Sequence, residues 1–433
     1  MSGARSRAAS AGPSEYSLLL TATLCLLAFG AVMVFSASST TQILGDGGIG
    51  NSVHFLKRTL LFGVLGLVLM RLLSLGGLRV VRALTPVLLA TSIVLLVAVL
   101  VIGTTVNGAQ RWIGSGFLQI QPSELAKVTL VLYGAHVLAA RPRMVARLGT
   151  LMPYLLVVGF SCALIVLEPD LGTALVTAFA VGATLIAAGV RLRDLVLIAA
   201  VIGFLALVVI LFEPYRRERL IGFLHPGSDA AGAGFQAVQA KIALGSGGFF
   251  GVGLGDGVQK AYYLPEAHTD MIAAVIGEEI GLVGILGLVG LFGLFGYAGL
   301  RTAQRARDRY AKLLAGGLTA LILIQATVNL FAVMGLAPLT GVPLPFVSYG
   351  NSSLLVTLAS VGLILNVARA NESPARSKPA RRSARGAGRL RVVEGGHGGR
   401  GRRRSSGATG RDSGRRHSGA RSPGAGRRRR ASR

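Results

Sequence analysis

"DLVLIAAVIGFLALVVILF", residues 194–212, carries one charged side chain, Asp194, at its very start. A helix that crosses the roughly 30 Å hydrocarbon core of a bilayer needs about 20 consecutive apolar residues. A surface helix of a soluble domain keeps one polar face, and this stretch has none. It reads as a membrane span, bracketed by Arg191 and Arg193 on one side and by Arg216, Arg217 and Arg219 on the other.

The same pattern recurs along the chain. Apolar runs at 16–37, 54–73, 80–103, 122–140, 150–167, 170–189, 194–212, 268–298, 311–336 and 345–369 predict ten spans. Early in the tenth, "GVPLPFVSYG" (341–350) predicts broken or re-entrant backbone, tolerated at depth only beside protein or a wet cavity. The composition agrees. Of 433 residues 52% are hydrophobic and 15% charged, with a mean hydropathy of +0.61, whereas soluble domains carry about 25% charge. The expected fold is an all-α integral membrane protein with about ten transmembrane helices. Residues 1–15 form a short leading segment, 16–370 the membrane domain, 213–267 a large outer loop and 371–433 a tail. Cys25 and Cys162 both fall in apolar runs, as small buried side chains do, and predict no disulfide framework. No secretory signal is expected, since the first apolar run is long and lacks a small-residue cleavage site.

The formal charge of +27 is unevenly spread. From Ser373 to Arg433 there are 20 basic residues and two acids, Glu394 and Asp412, a net +18. This Arg/Gly/Ser-rich tail lacks the apolar surface to fold alone. A polybasic segment following a span suits anionic lipid or acidic partners better than nucleic acid. Elsewhere the cations sort by side. Arg5 and Arg7, Arg71, Arg79 and Arg82, Arg141, Arg143 and Arg147, Arg191 and Arg193, and Arg301 to Lys312 occupy alternate connections, while the intervening short loops hold little beyond Arg111. Basic short loops stay on the cytoplasmic side, so both termini are expected there. The long 213–267 loop, with Arg216, Arg217, Arg219, Lys241 and Lys260, would lie outside, where long loops escape that rule.

Ionisable residues at or inside spans are costly and functional by default. On the expected outer side they gather in four places: Arg111, Glu124 and Lys127 in 106–128; Glu168 and Asp170 in "LEPDLG"; Glu266, His268, Asp270, Glu278 and Glu279 in 262–279; and Ser348, Tyr349, Ser352 and Ser353 in 338–353. Each has a plain alternative. Glu124 and Lys127, at i and i+3, also suit an internal salt bridge, and Asp170 a helix cap. Glu278 suits pairing with a neighbouring cation, and His268 a helix-entry position without proton chemistry. No second His or Cys stands at metal-ligand spacing from His268. Asp270 reads as the first turn of a helix, where the dipole favours a carboxylate. Glu278 lies eight residues on, about 12 Å along a helix axis, too far for the paired carboxylates of a glycosidase. The chemistry this helix offers is a single base.

Together "RWI", "LQIQPSELAKV", "EPDLGTALV", "PYRRERLIGFLHP", the long 232–284 stretch and "TGVPLPFVSYGNSSLL" resemble the SEDS family, the shape, elongation, division and sporulation membrane glycosyltransferases. The likeness spans roughly 16–370 and leaves out the tail. "VQK" before "LPEAHTD" is more similar to the cell-division branch than to the rod-shape branch. Two positions depart from the family pattern: Met271, where Phe is usual, and Asn351, where a second Gly is usual. The resemblance implies polymerisation of lipid II on the outer face of the cytoplasmic membrane at the division septum, with Asp270 as catalytic base. An undecaprenyl-pyrophosphate-linked glycan would be the donor. An α-linked donor giving a β-1,4 bond implies a single inverting displacement. Arg111, Lys127, Arg216, Arg217 and Arg219 are the cations expected to neutralise the leaving pyrophosphate, with Glu124, His268, Glu278 and Ser348 as further substrate-binding positions. A divalent ion, Mg2+ or Mn2+, beside Asp270 is compatible with this chemistry but not required. The implied partners are a class B penicillin-binding protein, an FtsI-like transpeptidase, and other divisome proteins. A lipid II flippase and a non-catalytic divisome scaffold acting through the tail are the alternative readings.

Overall fold

A computed structural model describes residues 14–39, 50–106, 109–114, 119–225, 234–264 and 267–372. Glu266 and the basic tail from Ser373 onward lie outside the described residues. Among the described residues there are fourteen α-helices and one small antiparallel strand pair. Helices α1 (Glu15–Ser38), α2 (Gly50–Leu75) and α3 (Leu78–Ile102) come first. Then follow strands β1 (Thr104–Val106) and β2 (Ala109–Trp112), paired antiparallel with Val106 opposite Ala109. Helices α4 (Pro122–Ala140), α5 (Leu148–Leu167), α6 (Leu171–Ala188) and α7 (Leu192–Phe212) complete the first half.

Among the described residues nine helices are long and apolar enough to cross a membrane. The remaining expected run, the fourth, is α4, whose first turns carry Glu124 and Lys127 and which is largely buried by the other helices. Proline at its first position fits a helix start, where the missing N–H would have no partner anyway. At the opposite extreme is the stretch quoted first: α7 buries only Asp194. Its apolar surface is left for lipid.

Among its described residues the 213–267 segment, expected as an outer loop, is not irregular. It folds into α8 (Pro214–Leu224), α9 (Phe235–Ser246) and the single turn α10 (Gln259–Tyr262). The expected eighth span is also corrected. It divides into α11 (Ile272–Glu279) and α12 (Gly281–Arg305), and α13 (Arg309–Val333) and α14 (Asn351–Glu372) complete the chain. The division falls at Gly281, whose φ of +74° side chains rarely adopt. Leu282 N–H then donates to Gly248 O and Val283 N–H to Phe249 O, so a glycine-rich stretch of the outer segment satisfies the interrupted backbone.

Residues 335–350 between α13 and α14 are not helical, as "GVPLPFVSYG" suggested. They are nonetheless internal: Val342, Leu344, Phe346 and Val347 are buried. A Cβ on Gly30 of α1 would stand 2.4 Å from Phe346 O, so α1 admits this backbone only because glycine occupies the contact. Buried carbonyls here are met by side chains of α13, as membrane depth requires.

Candidate active site around Asp270

The segment 267–271 forms a turn that leads into α11, and Asp270 is half-buried within it. This corrects the expected position in the first helical turn. Met271 is the N-cap of α11, and no side chain caps that end. What fixes Asp270 is a side chain from another helix. Asn329 Nδ2 on α13 donates to Asp270 O at 2.8 Å and to Val342 O at 2.9 Å. One turn earlier on α13, Gln325 donates to Pro343 O at 2.9 Å and accepts from Lys127 Nζ at 2.7 Å. Residues i and i+4 share a helix face, so α13 ties the Asp270 turn, the buried non-helical segment and α4 together. Thr269 Oγ1 lies 3.2 Å from Asp270 Oδ1.

Beside this turn stands a cluster of three rings. Phe55 of α2 lies 4.8 Å from His268 and 5.0 Å from Tyr349, and His268 lies 5.5 Å from Tyr349, centroid to centroid. Tyr349 N–H also donates to His268 O at 2.9 Å. An apolar crevice of about 290 Å³ runs past Ala273 and Gly277 of α11 and Leu330 and Val333 of α13. Ala273 is one turn from Asp270, and Leu330 adjoins Asn329. Asp270 is thus two residues from a ring of the aromatic cluster and three from a residue that lines the crevice.

The other expected site residues are mostly committed to the protein. Lys127 is 1% exposed and pairs with Glu124 at 2.9 Å, as an internal salt bridge. Arg111 on β2 donates to Glu168 O and Pro169 O, and Arg216 on α8 to Val166 O. Arg217 is exposed on α8. Ser348 Oγ accepts from Leu344 N–H at 2.8 Å, closing a turn in the buried segment. Asp170 caps α6 through Thr173 N–H and accepts from Gln121, the plain alternative noted for it. Between them Glu168, just beyond α5, is fully buried and neither of its oxygens has a hydrogen-bond partner. Burial pushes its carboxyl up to about 8, Asp170 adds to the rise and Arg111 opposes it.

Glu278 and Glu279 hold the 213–267 segment to α11. Glu278 accepts from Val258 N–H at 2.8 Å and Gln259 N–H at 3.0 Å. It is Glu279, not Glu278, that pairs with a cation: Lys260, buried, which also donates to Ser36 of α1. Among the described residues no group of three or more His, Cys, Asp or Glu side chains is placed to hold a metal ion. Sequence reasoning missed Asn329, Gln325 and Phe55. The available signal was uncharged polarity inside an apolar run, for Gln325 and Asn329.

The FtsW/RodA/SpoVE cell cycle protein family model matches residues 16–373. The chain is 39% identical over 362 residues to a probable peptidoglycan glycosyltransferase FtsW of Trichlorobacter lovleyi, covering 82% of this chain and 93% of that one. With the like-named protein of Coxiella burnetii it shares 42% over 359 residues, 81% and 95% of the two chains. A solved structure described as structural coordination of polymerization and crosslinking by a peptidoglycan synthase complex superposes with a TM-score of 0.68 at 33% identity, over 82% of this chain and 98% of that one. This multi-pass membrane protein belongs to the FtsW/RodA/SpoVE family.

Proposed function

We propose that this chain is a peptidoglycan glycosyltransferase that polymerises lipid II at the outer face of the cytoplasmic membrane, with Asp270 as general base. The observation that carries this reading is the setting of Asp270. Its backbone is held by Asn329, it is half-buried, and its neighbours in the chain, His268 and Ala273, belong to a ring cluster and an apolar crevice. Rings pack against sugar faces, and an apolar slot suits a polyprenyl chain. A lipid-linked saccharide needs both.

Asp270 takes the proton from the 4-hydroxyl of the GlcNAc in an incoming lipid II. That oxygen attacks the anomeric carbon of the donor strand from the face opposite its pyrophosphate. The C1–O bond to the pyrophosphate breaks, configuration inverts, and undecaprenyl pyrophosphate departs. A leaving group already ionised needs cations, not a second carboxylic acid. Both termini then lie in the cytoplasm, as the basic connections favour. The division septum is the site of action, in accord with the names of the similar proteins. A class B penicillin-binding protein of the FtsI type is the partner, in keeping with the peptidoglycan synthase complex among the structural neighbours.

Purified Asp270→Asn protein, assayed on lipid II with and without the cognate transpeptidase, is expected to lose glycan-chain formation by about a hundredfold or more, the scale of a positioned base, while still inserting and binding the partner. Polymerisation at the unaltered rate would remove the reading. Transport of lipid II in proteoliposomes with no polymerisation would favour a flippase instead.

A further inference from the structure

Where α4 stops and α5 begins, the connection carries three arginines, Arg141, Arg143 and Arg147. It is built, not loose. Residues Pro142–Ala146 form a 3-10 turn that packs on α4, α5 and α6. Met144 N–H donates to Arg141 O at 3.0 Å, and the Thr150 hydroxyl lies 2.7 Å from both Met144 O and Arg147 O. Met144 and Val145 pack against the core, while the three arginines are exposed. Only Glu168–Asp170 separate α5 from α6, so α6 runs back to the same end of the bundle. There Arg191 and Arg193, also exposed, flank Leu192, the 76% exposed first residue of α7. Arg309 fastens α13 to this end by donating to Ala188 O at 3.0 Å. Among the described residues none of the five exposed arginines is in an ion pair. On α4 to α7 and α13 the acids at this end are Asp194, which is buried, and Asp308, the N-cap of α13.

We infer that the 141–147 connection and the 191–193 turn form one binding surface for the phosphate of an anionic glycerophospholipid. The place favours a lipid over a soluble anion. Helix α7 buries only Asp194, so acyl chains cover its sides, and the head groups of those lipids stand level with Arg191 and Arg193. Each guanidinium offers a planar pair of N–H donors that matches two phosphate oxygens. In phosphatidylcholine the choline cation cancels the phosphate charge, whereas phosphatidylglycerol keeps it. A surface of five arginines therefore selects the second, by about fivefold for each cation that reaches the head-group layer. Occupancy of this surface does not depend on what Asp270 does.

The test reads which lipid lies beside Leu192. Leu192→Trp in the full-length chain, combined with Trp112→Phe, places the single tryptophan between two of the arginines. The protein is reconstituted in bilayers containing brominated phosphatidylglycerol or brominated phosphatidylcholine, whose bromines quench only the tryptophan they touch. Phosphatidylglycerol is expected to bind there about tenfold more tightly than phosphatidylcholine, with the ratio shrinking as salt is added. The triple variant Arg141→Gln, Arg143→Gln, Arg147→Gln is expected to bring the ratio to within about twofold of one. The matching triple change to lysine keeps the charge and most of the preference. If the glutamine triple variant does not fold, Arg191→Gln with Arg193→Gln decides the matter. Equal affinity for the two lipids in the parent would overturn the inference and leave these arginines to an acidic protein. So would an unchanged ratio in both charge-neutral variants. Loss of the preference on adding inorganic phosphate at constant ionic strength would overturn a lipid in favour of a free anion.

Discussion

At Asp270 the proposed base is supplied by one element and its placement by another. Asn329 spends its amide hydrogens on Asp270 O and Val342 O, two carbonyls with no helical partner. Asn329→Leu keeps the volume and leaves both acceptors orphaned, at about 2–4 kcal/mol for the pair. The expected result is a lowered thermal midpoint together with a kcat at least tenfold down and a KM for lipid II within about threefold. A purely structural role would lower the yield of active enzyme but leave the kinetics of the folded fraction unchanged. Asp270 stood out in the sequence as a candidate because a carboxylate at the mouth of an apolar run is costly without a role. Asn329 was not, because an uncharged amide costs little in a span and the carbonyls it serves come from chain 59 and 13 residues away. The five cations named from the sequence were found by charge alone, and charge does not say that a guanidinium will be spent on a neighbouring turn.

The outer segment is held to the bundle by short α11, which sits where the sequence suggested one uninterrupted span. Periodicity carries through 268–298 and hides the division at Gly281; the signal was a glycine just past "GEEI", the commonest helix stop. Likewise the Asn-Gly pair at 107–108 was the overlooked mark of a hairpin between β1 and β2. The division lets Glu279 meet Lys260 and Ser36, pinning α10 against α1. Breaking such a buried pair from one side costs about 3–5 kcal/mol, while replacing both partners with apolar side chains is close to neutral. Glu279→Ala is therefore expected to lower the thermal midpoint far more than the double variant Glu279→Leu with Lys260→Met. Equal losses would mean that the pair itself, not the desolvated remainder, stabilises the segment.

For the whole molecule the apolar runs were enough: nine of the ten expected spans meet the length and hydropathy of a membrane helix, and the fourth, α4, is shielded by its neighbours. What the runs do not carry is which helix lies inside, since α4 and α7 look alike in length and differ in burial from nearly complete to a single residue. The side assignment is checked by labelling. In a variant freed of Cys25 and Cys162, a cysteine replacing Phe250, exposed on the outer segment, should react with a membrane-impermeant maleimide in intact cells, and one placed in the tail only after lysis. The opposite pattern would invert the topology and put Asp270 out of reach of an external substrate. The contact of Gly30 with Phe346 also bears on biogenesis. An apolar helix can leave the insertion machinery sideways on its own, whereas naked carbonyls cannot. Helix α1 therefore keeps an empty notch until more than three hundred further residues have been synthesised, and the proposed catalytic centre closes only after that.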